Sequence, residues 1–168
     1  VCTGSPQFYD LALDANGNLL AVGTFTGTVD FDPGNGVANL ASQGTKDMFL
    51  LKLSASGGFN FVQQINSGAG TNEIPQAMEV DQQGNILVTG WFDGTIDADP
   101  GPGSSPLSSA GINDIFVNQY DANGNLNWAR AIGSGGNDSG WDLTVDNAGN
   151  VSIVGRFSGT VDFDPGNG

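Results

Sequence analysis

The chain has 168 residues and a formal net charge of −14, with 18 acids, 16 of them Asp, set against Lys46, Lys52, Arg130 and Arg156. That balance repels phosphate backbones and anionic head groups, so nucleic acid and acidic membrane surfaces are poor candidate partners, and no apolar run approaches the ~18 residues of a membrane helix. Without histidine there is no imidazole base, and Cys2 alone makes neither an internal disulfide nor a zinc site.

The first alternation is Tyr9-Asp-Leu-Ala-Leu-Asp14, which puts Tyr9, Leu11 and Leu13 on one face, the pattern of a half-buried strand. Asp14-Ala-Asn-Gly-Asn18 follows as a turn in which Gly17 supplies positive φ, and "LLAVGTF" at 19–25 returns as a second strand. Next comes the acidic octapeptide "GTVDFDPG" at 27–34. In extended form it places Val29 and Phe31 on one side and Thr28, Asp30 and Asp32 on the other, with the two carboxylates about 7 Å apart. Beyond a polar, Gly-containing stretch, "DMFLLKL" (47–53) and "FNFVQQI" (59–65) flank Ser54-Ala-Ser-Gly-Gly58 and predict a second hairpin.

All of this recurs. Asp14, Asp81 and Asp146 open the same D-x-x-G-N turn at offsets of 67 and 65 residues, and the octapeptide returns as "GTIDADPG" (94–101) and "GTVDFDPG" (159–166). "DIFVNQY" (114–120) and "LNWARAI" (126–132) repeat the second hairpin around Asp121-Ala-Asn-Gly-Asn125, and "WDLTVD" (141–146) repeats the first alternation with Trp141, Leu143 and Val145 on one face. The organisation is therefore repeat 1 at 1–68, repeat 2 at 69–135 and a partial repeat 3 at 136–168, with no helical period anywhere.

Four antiparallel strands per repeat is the arithmetic of a propeller blade, here lengthened by about 20 residues between its second and third strands. The expected fold is all-β: tandem repeats of four-stranded antiparallel, blade-like sheets of β-propeller type, as an incomplete propeller or an open array. The combination D-x-x-G-N-[LIV]-x-x-x-G, D-x-F-[LV] and [FW]-[VA]-x-x-I resembles the bacterial β-propeller repeat family often called SBBP, in the variety that carries D-F-D-P-G. The resemblance implies an extracellular scaffold or adhesion module and hands over no catalytic residue. A closed propeller needs at least about four blades, so two and a half units imply either a longer array or completion by a neighbouring protomer.

The paired acids are the candidate chemistry. Calcium takes six to eight oxygens, and Asp30 with Asp32, Asp97 with Asp99, and Asp162 with Asp164 offer carboxylates beside Pro-Gly carbonyls, which makes these six the expected metal ligands. The segment is not an EF-hand: counted from Asp30, position six is Asn35 and position twelve Ala41, and Pro33 interrupts the loop. The competing reading is a strand-ending Asp-Pro-Gly turn. The acids of the D-x-x-G-N loops are read as turn formers that bond their own backbone. A glycosidase pair is disfavoured because a catalytic site is single and this pair comes in triplicate. Trp91, Trp128 and Trp141 could stack sugars, although aromatics in such strands pack between sheets more often. Asn137-Asp-Ser139 and Asn150-Val-Ser152 match the N-glycosylation pattern.

The function expected from these residues is a non-catalytic extracellular or cell-surface module, structural or adhesive, with filament formation open to it. Its partners would be other copies or further repeats of the same kind, and surface glycans. A calcium-dependent lectin is the alternative and a carboxylate-dependent glycoside hydrolase the third reading.

Overall fold

The computed structural model describes residues 3–43, 45–68, 70–161 and 163, and every regular element among them is a strand. In chain order these are β1 (Ser5–Leu13), β2 (Leu19–Thr26), β3 (Thr28–Asp30), β4 (Asn39–Ala41), β5 (Asp47–Leu53), β6 (Phe59–Ser67) and β7 (Glu73–Val80). They are followed by β8 (Ile86–Phe92), β9 (Thr95–Asp97), β10 (Pro106–Ser108), β11 (Asp114–Tyr120), β12 (Leu126–Ile132), β13 (Ser139–Val145) and β14 (Val151–Arg156). β1-β2-β5-β6 and β7-β8-β11-β12 are four-stranded antiparallel meanders, and β13-β14 is the first hairpin of a third.

The octapeptides open short hairpins, β3-β4 and β9-β10, between the second and third strands of their units. β3-β4 stands as a separate two-stranded ribbon, but β9 pairs with β6 of the preceding unit through Asn66↔Asp97 and Ser67↔Ile96. The first sheet thereby becomes six-stranded, a junction that reading each repeat as self-contained does not anticipate.

Successive sheets pack face to face with their contacts concentrated on the first strands, β7 lying against β1 on one side and β13 on the other, as blades fan from an axis. Leu20, Val22, Met48, Leu50 and Ile65 from the first sheet meet Met78, Ile86, Val88, Phe92 and Phe116 from the second in one apolar core. On the opposite face of the first sheet, Phe25, Phe49 and Leu51 are closed over by Val29 and Phe31 from β3 and its loop. Phe31 packs its ring 5.6 Å from Phe25 and 4.6 Å from Phe49.

In the second unit Ala98 replaces Phe31, and Tyr120 occupies the position of Leu53. Its buried hydroxyl donates to the Ala98 carbonyl at 3.3 Å, so the tyrosine fills space the lost phenyl ring would take. Phe157 and Phe163 renew the edge-to-face pair in the third unit, 5.1 Å apart.

One expected alternation is broken at its first residue. β1, β7 and β13 each carry a bulge between Phe8 and Asp10, Pro75 and Ala77, and Gly140 and Asp142, so Tyr9, Gln76 and Trp141 leave the ladder. Tyr9 and Trp141 therefore do not share a face with Leu11 and Leu143 in the simple two-residue period. The bulge also explains an internal glycine. A Cβ at Gly23, Gly90 or Gly155 would collide with the carbonyl of Gln7, Ile74 or Ser139 on the bulged strand.

Candidate functional site

The octapeptide acids lie where the strand period puts them, with Val29 and Phe31 buried and Asp30 and Asp32 half-buried on the other side. Each carboxylate turns one oxygen onto its own loop. Asp30 Oδ1 accepts from the N–H of Asp32 at 3.1 Å and of Ala38 at 2.8 Å, and Asp32 Oδ1 accepts from Gly34 at 2.7 Å. Asp97 and Asp99 repeat the set with Asp99 and Ser105 (3.1 and 2.8 Å) and with Gly101 (2.8 Å). A Cβ at Gly36 or Gly103 would displace the second aspartate's carboxylate.

The N–H groups of Ala38 and Asp32 hold the Asp30 carboxyl below the usual range. At Asp97 burial opposes ionisation, and the N–H groups of Ser105 and Asp99 outweigh it. Among the described residues no three Asp, Glu, His or Cys side chains come together as a metal group. Asp162 and Asp164 lie outside the described residues.

The D-x-x-G-N loops are turns built to one plan. Asp14 Oδ1 accepts from the N–H of Asn16 and Asn18, both at 2.9 Å, its Oδ2 takes the Asn18 side-chain amide at 2.8 Å, and Gly17 sits at φ 76. Asp81, Asp121 and Asp146 hold their loops in the same way. Asp14 adds an ion pair to Lys52 at 3.0 Å. Burial works against its charge, but the Asn18 amide, the Lys52 ammonium and the loop N–H groups bring its carboxyl down to about 2. Lys52 also donates to the Ala122 carbonyl at 3.2 Å and so ties the first unit to a loop of the second.

The seams between units hold acids that motif reading did not single out. Asp10 Oδ1 accepts from the N–H of Leu11 beside the bulge, while its Oδ2 crosses to the N–H of Met78 at 2.8 Å, where Ala77 stands in the acid's place. Glu79 reaches the N–H of Val145 at 3.0 Å across the next seam. Asp138, fully buried, accepts from Ser134 and Ser158 N–H, both at 2.7 Å.

Glu73 occupies the corresponding place one unit earlier. It is equally buried, yet neither carboxylate oxygen has a partner among the described residues. Burial, and then the charge of Asp47, push it up to about 8. The signal available in the sequence was positional: Glu73 and Asp138 are 65 residues apart, and Asp47 and Asp114 are 67 apart.

The three tryptophans separate. Trp91 and Trp141 wall a cleft of about 340 Å³ between the second and third units, with Gln76, Asn113, Asn137 and Arg156 completing it. Trp128 lines a different, mainly apolar cleft of about 400 Å³ with Val117, Ile132 and Ile153.

No family model matches the chain. It is 29% identical over 157 residues to the uncharacterized WD repeat-containing protein L264 of Acanthamoeba polyphaga mimivirus, an alignment covering 88% of this chain and 11% of that protein. The chain thus spans about a ninth of the length of the relative it matches. The repeats are of β-propeller type. The four-stranded meanders, their packing on first strands and the WD-repeat likeness agree on that much.

Proposed function

We propose that this chain is a non-catalytic structural and adhesive module of an extracellular surface assembly, of the bacterial SBBP-like kind with the D-F-D-P-G motif, and that it packs on further repeats of its own type. The observation that carries the reading is a contrast between equivalent positions. Met78 and Leu143 face the preceding unit and are 6% and 8% exposed, whereas Leu11, at the same position in the first unit, is 57% exposed. Val22 and Thr89 face the following unit and are fully buried, whereas Val154 is 57% exposed. Side chains that form seams inside the molecule stand uncovered on its two outer faces, which supports like units as partners.

Static light scattering over a concentration series tests it. The expected outcome is concentration-dependent association, and a monomer at every concentration that also ignores surface components would end the proposal.

The Trp91–Trp141 cleft favours a second reading, carbohydrate binding. Two indole faces flanking amides and an arginine suit a saccharide's apolar ring face and its hydroxyls. The expected sign is glycan-array binding that disappears on Trp141→Ala, and a blank array removes the reading.

A further inference from the structure

The fully buried Glu73 calls for an explanation, since an unpartnered carboxylate in a protein interior is costly. Its surroundings are fixed by the ladder. Met48 pairs with Ile65, so the next rung sets Asp47 opposite Asn66, and Asn66 in turn pairs with Asp97 of the annexed hairpin. Asp47 Oδ2 is satisfied by the Gln43 N–H at 2.8 Å and the Gln64 amide at 2.6 Å. Among the described residues its Oδ1 has no partner, and neither has the buried Asn66 Oδ1. The unfilled oxygens of Asp47 and Asn66 thus share one rung, Glu73 enters the first seam at the position Asp138 holds in the second, and no donor among the described residues meets these oxygens.

The second seam is the internal control. There Asp138 stands for Glu73 and has both oxygens filled by Ser134 and Ser158 N–H. The Ser134 bond shows that a side chain at this position reaches the end of the fourth strand, the place that Asn66 adjoins in the first seam. Gly133 stands for Asn66, and a Cβ there would meet the Asp114 carboxyl, so that seam leaves no room for an amide ligand. The second seam keeps one unfilled oxygen, Asp114 Oδ1, but no amide beside it, whereas the first combines a longer acid, an amide oxygen and unfilled oxygens on all three side chains.

We infer that the first seam is a binding site for a single hard cation of the calcium class, held by the oxygens of Asp47, Asn66 and Glu73. Such an ion takes six to eight oxygen ligands, so water and backbone carbonyls complete the set. A cleft of about 420 Å³, lined by Gln43, Asn66, Thr95, Asp97 and Ser104, opens beside Asn66. The site differs from the octapeptide loops and does not depend on the surface-assembly reading.

The test is calcium chloride titrated into the chelator-treated 168-residue chain at pH 8.5, followed by melting and by calorimetric binding, with magnesium as comparator. At 100 times Kd the midpoint should rise by roughly 5–10 °C. Glu73→Gln and Asn66→Gly should each abolish the rise while Asp30→Asn retains it. Asn66→Gly guards against a misfolded variant, because Gly133 shows that the repeat accepts glycine there. A midpoint indifferent to calcium overturns the inference. So does a shift that survives both seam substitutions, and loss of that shift in Asp30→Asn would assign the ion to the octapeptides instead. Association measured in the same samples scores the assembly reading separately.

Discussion

One methylene separates Asp138 from Glu73, and the two buried acids are anchored differently. The shorter side chain meets two backbone N–H groups, and the longer one meets none among the described residues. With its folded carboxyl near 8 and an unfolded value near 4.5, Glu73 binds more protons in the folded state between those pH values. Its favourable contribution is therefore complete below about pH 4.5 and is lost as pH rises through 8, a change on the order of a few kcal/mol. In chelator, urea unfolding should show stability falling across that window, and Glu73→Gln should flatten the fall and exceed the parent at pH 9. An unchanged slope in the variant would remove Glu73 as its source. Asp14 has the opposite sign: with its carboxyl at about 2, it stabilises above the normal carboxylate range and loses that contribution only as pH falls through 2. The sequence made Asp30 and Asp32 conspicuous as neighbours, yet their partner Ala38 is eight positions from Asp30 and is delivered by loop closure. Glu73 left no local mark, because its character comes from what the preceding unit fails to donate.

Strands were legible because alternation and turn residues are local. "DMFLLKL", "ILVTGWF", "DIFVNQY" and "LNWARAI" coincide with β5, β8, β11 and β12 residue for residue. The bulges at Tyr9, Gln76 and Trp141 were not, since a bulge depends on how the partner strand is met, where Gly23, Gly90 and Gly155 leave room for the carbonyls of the bulged strand. The β6–β9 pairing was hidden for a similar reason: a two-rung ladder between residues 66–67 and 96–97 has no pattern of its own. The octapeptide's variable position is explained only by distant packing. Phe31→Ala should open a cavity under Phe25 and Phe49 and cost about 3 kcal/mol or more in denaturant unfolding. Ala98→Phe should also destabilise, by about 1–3 kcal/mol, because Tyr120 already fills that space. Adding Tyr120→Leu should recover part of the second loss, a coupling that independent sites would not show.

For the molecule as a whole, the two outer faces follow from how seams are made. Each seam uses first-strand positions such as Met78 and Leu143 against the preceding sheet, supported by Asp10 or Glu79 reaching across to backbone N–H. Asp142 has the place of Asp10 and already binds the N–H of Leu143 as Asp10 binds that of Leu11, so the third unit carries the same hook. A charge on the outer face should stop association without lowering the melting point: Val154→Lys is expected to hold the chain monomeric in light scattering, while the buried Val22→Lys should unfold it.

The annexed hairpin has a mechanical consequence. Because β9 continues the sheet of the preceding unit, a pull that draws the second unit away from the first must shear backbone hydrogen bonds as well as part apolar faces. In a longer array built this way each unit would hold its neighbour as a clasp holds a link. Load would pass along the backbone ladder from unit to unit, and failure would spread through linked pairs of repeats instead of releasing one repeat at a time.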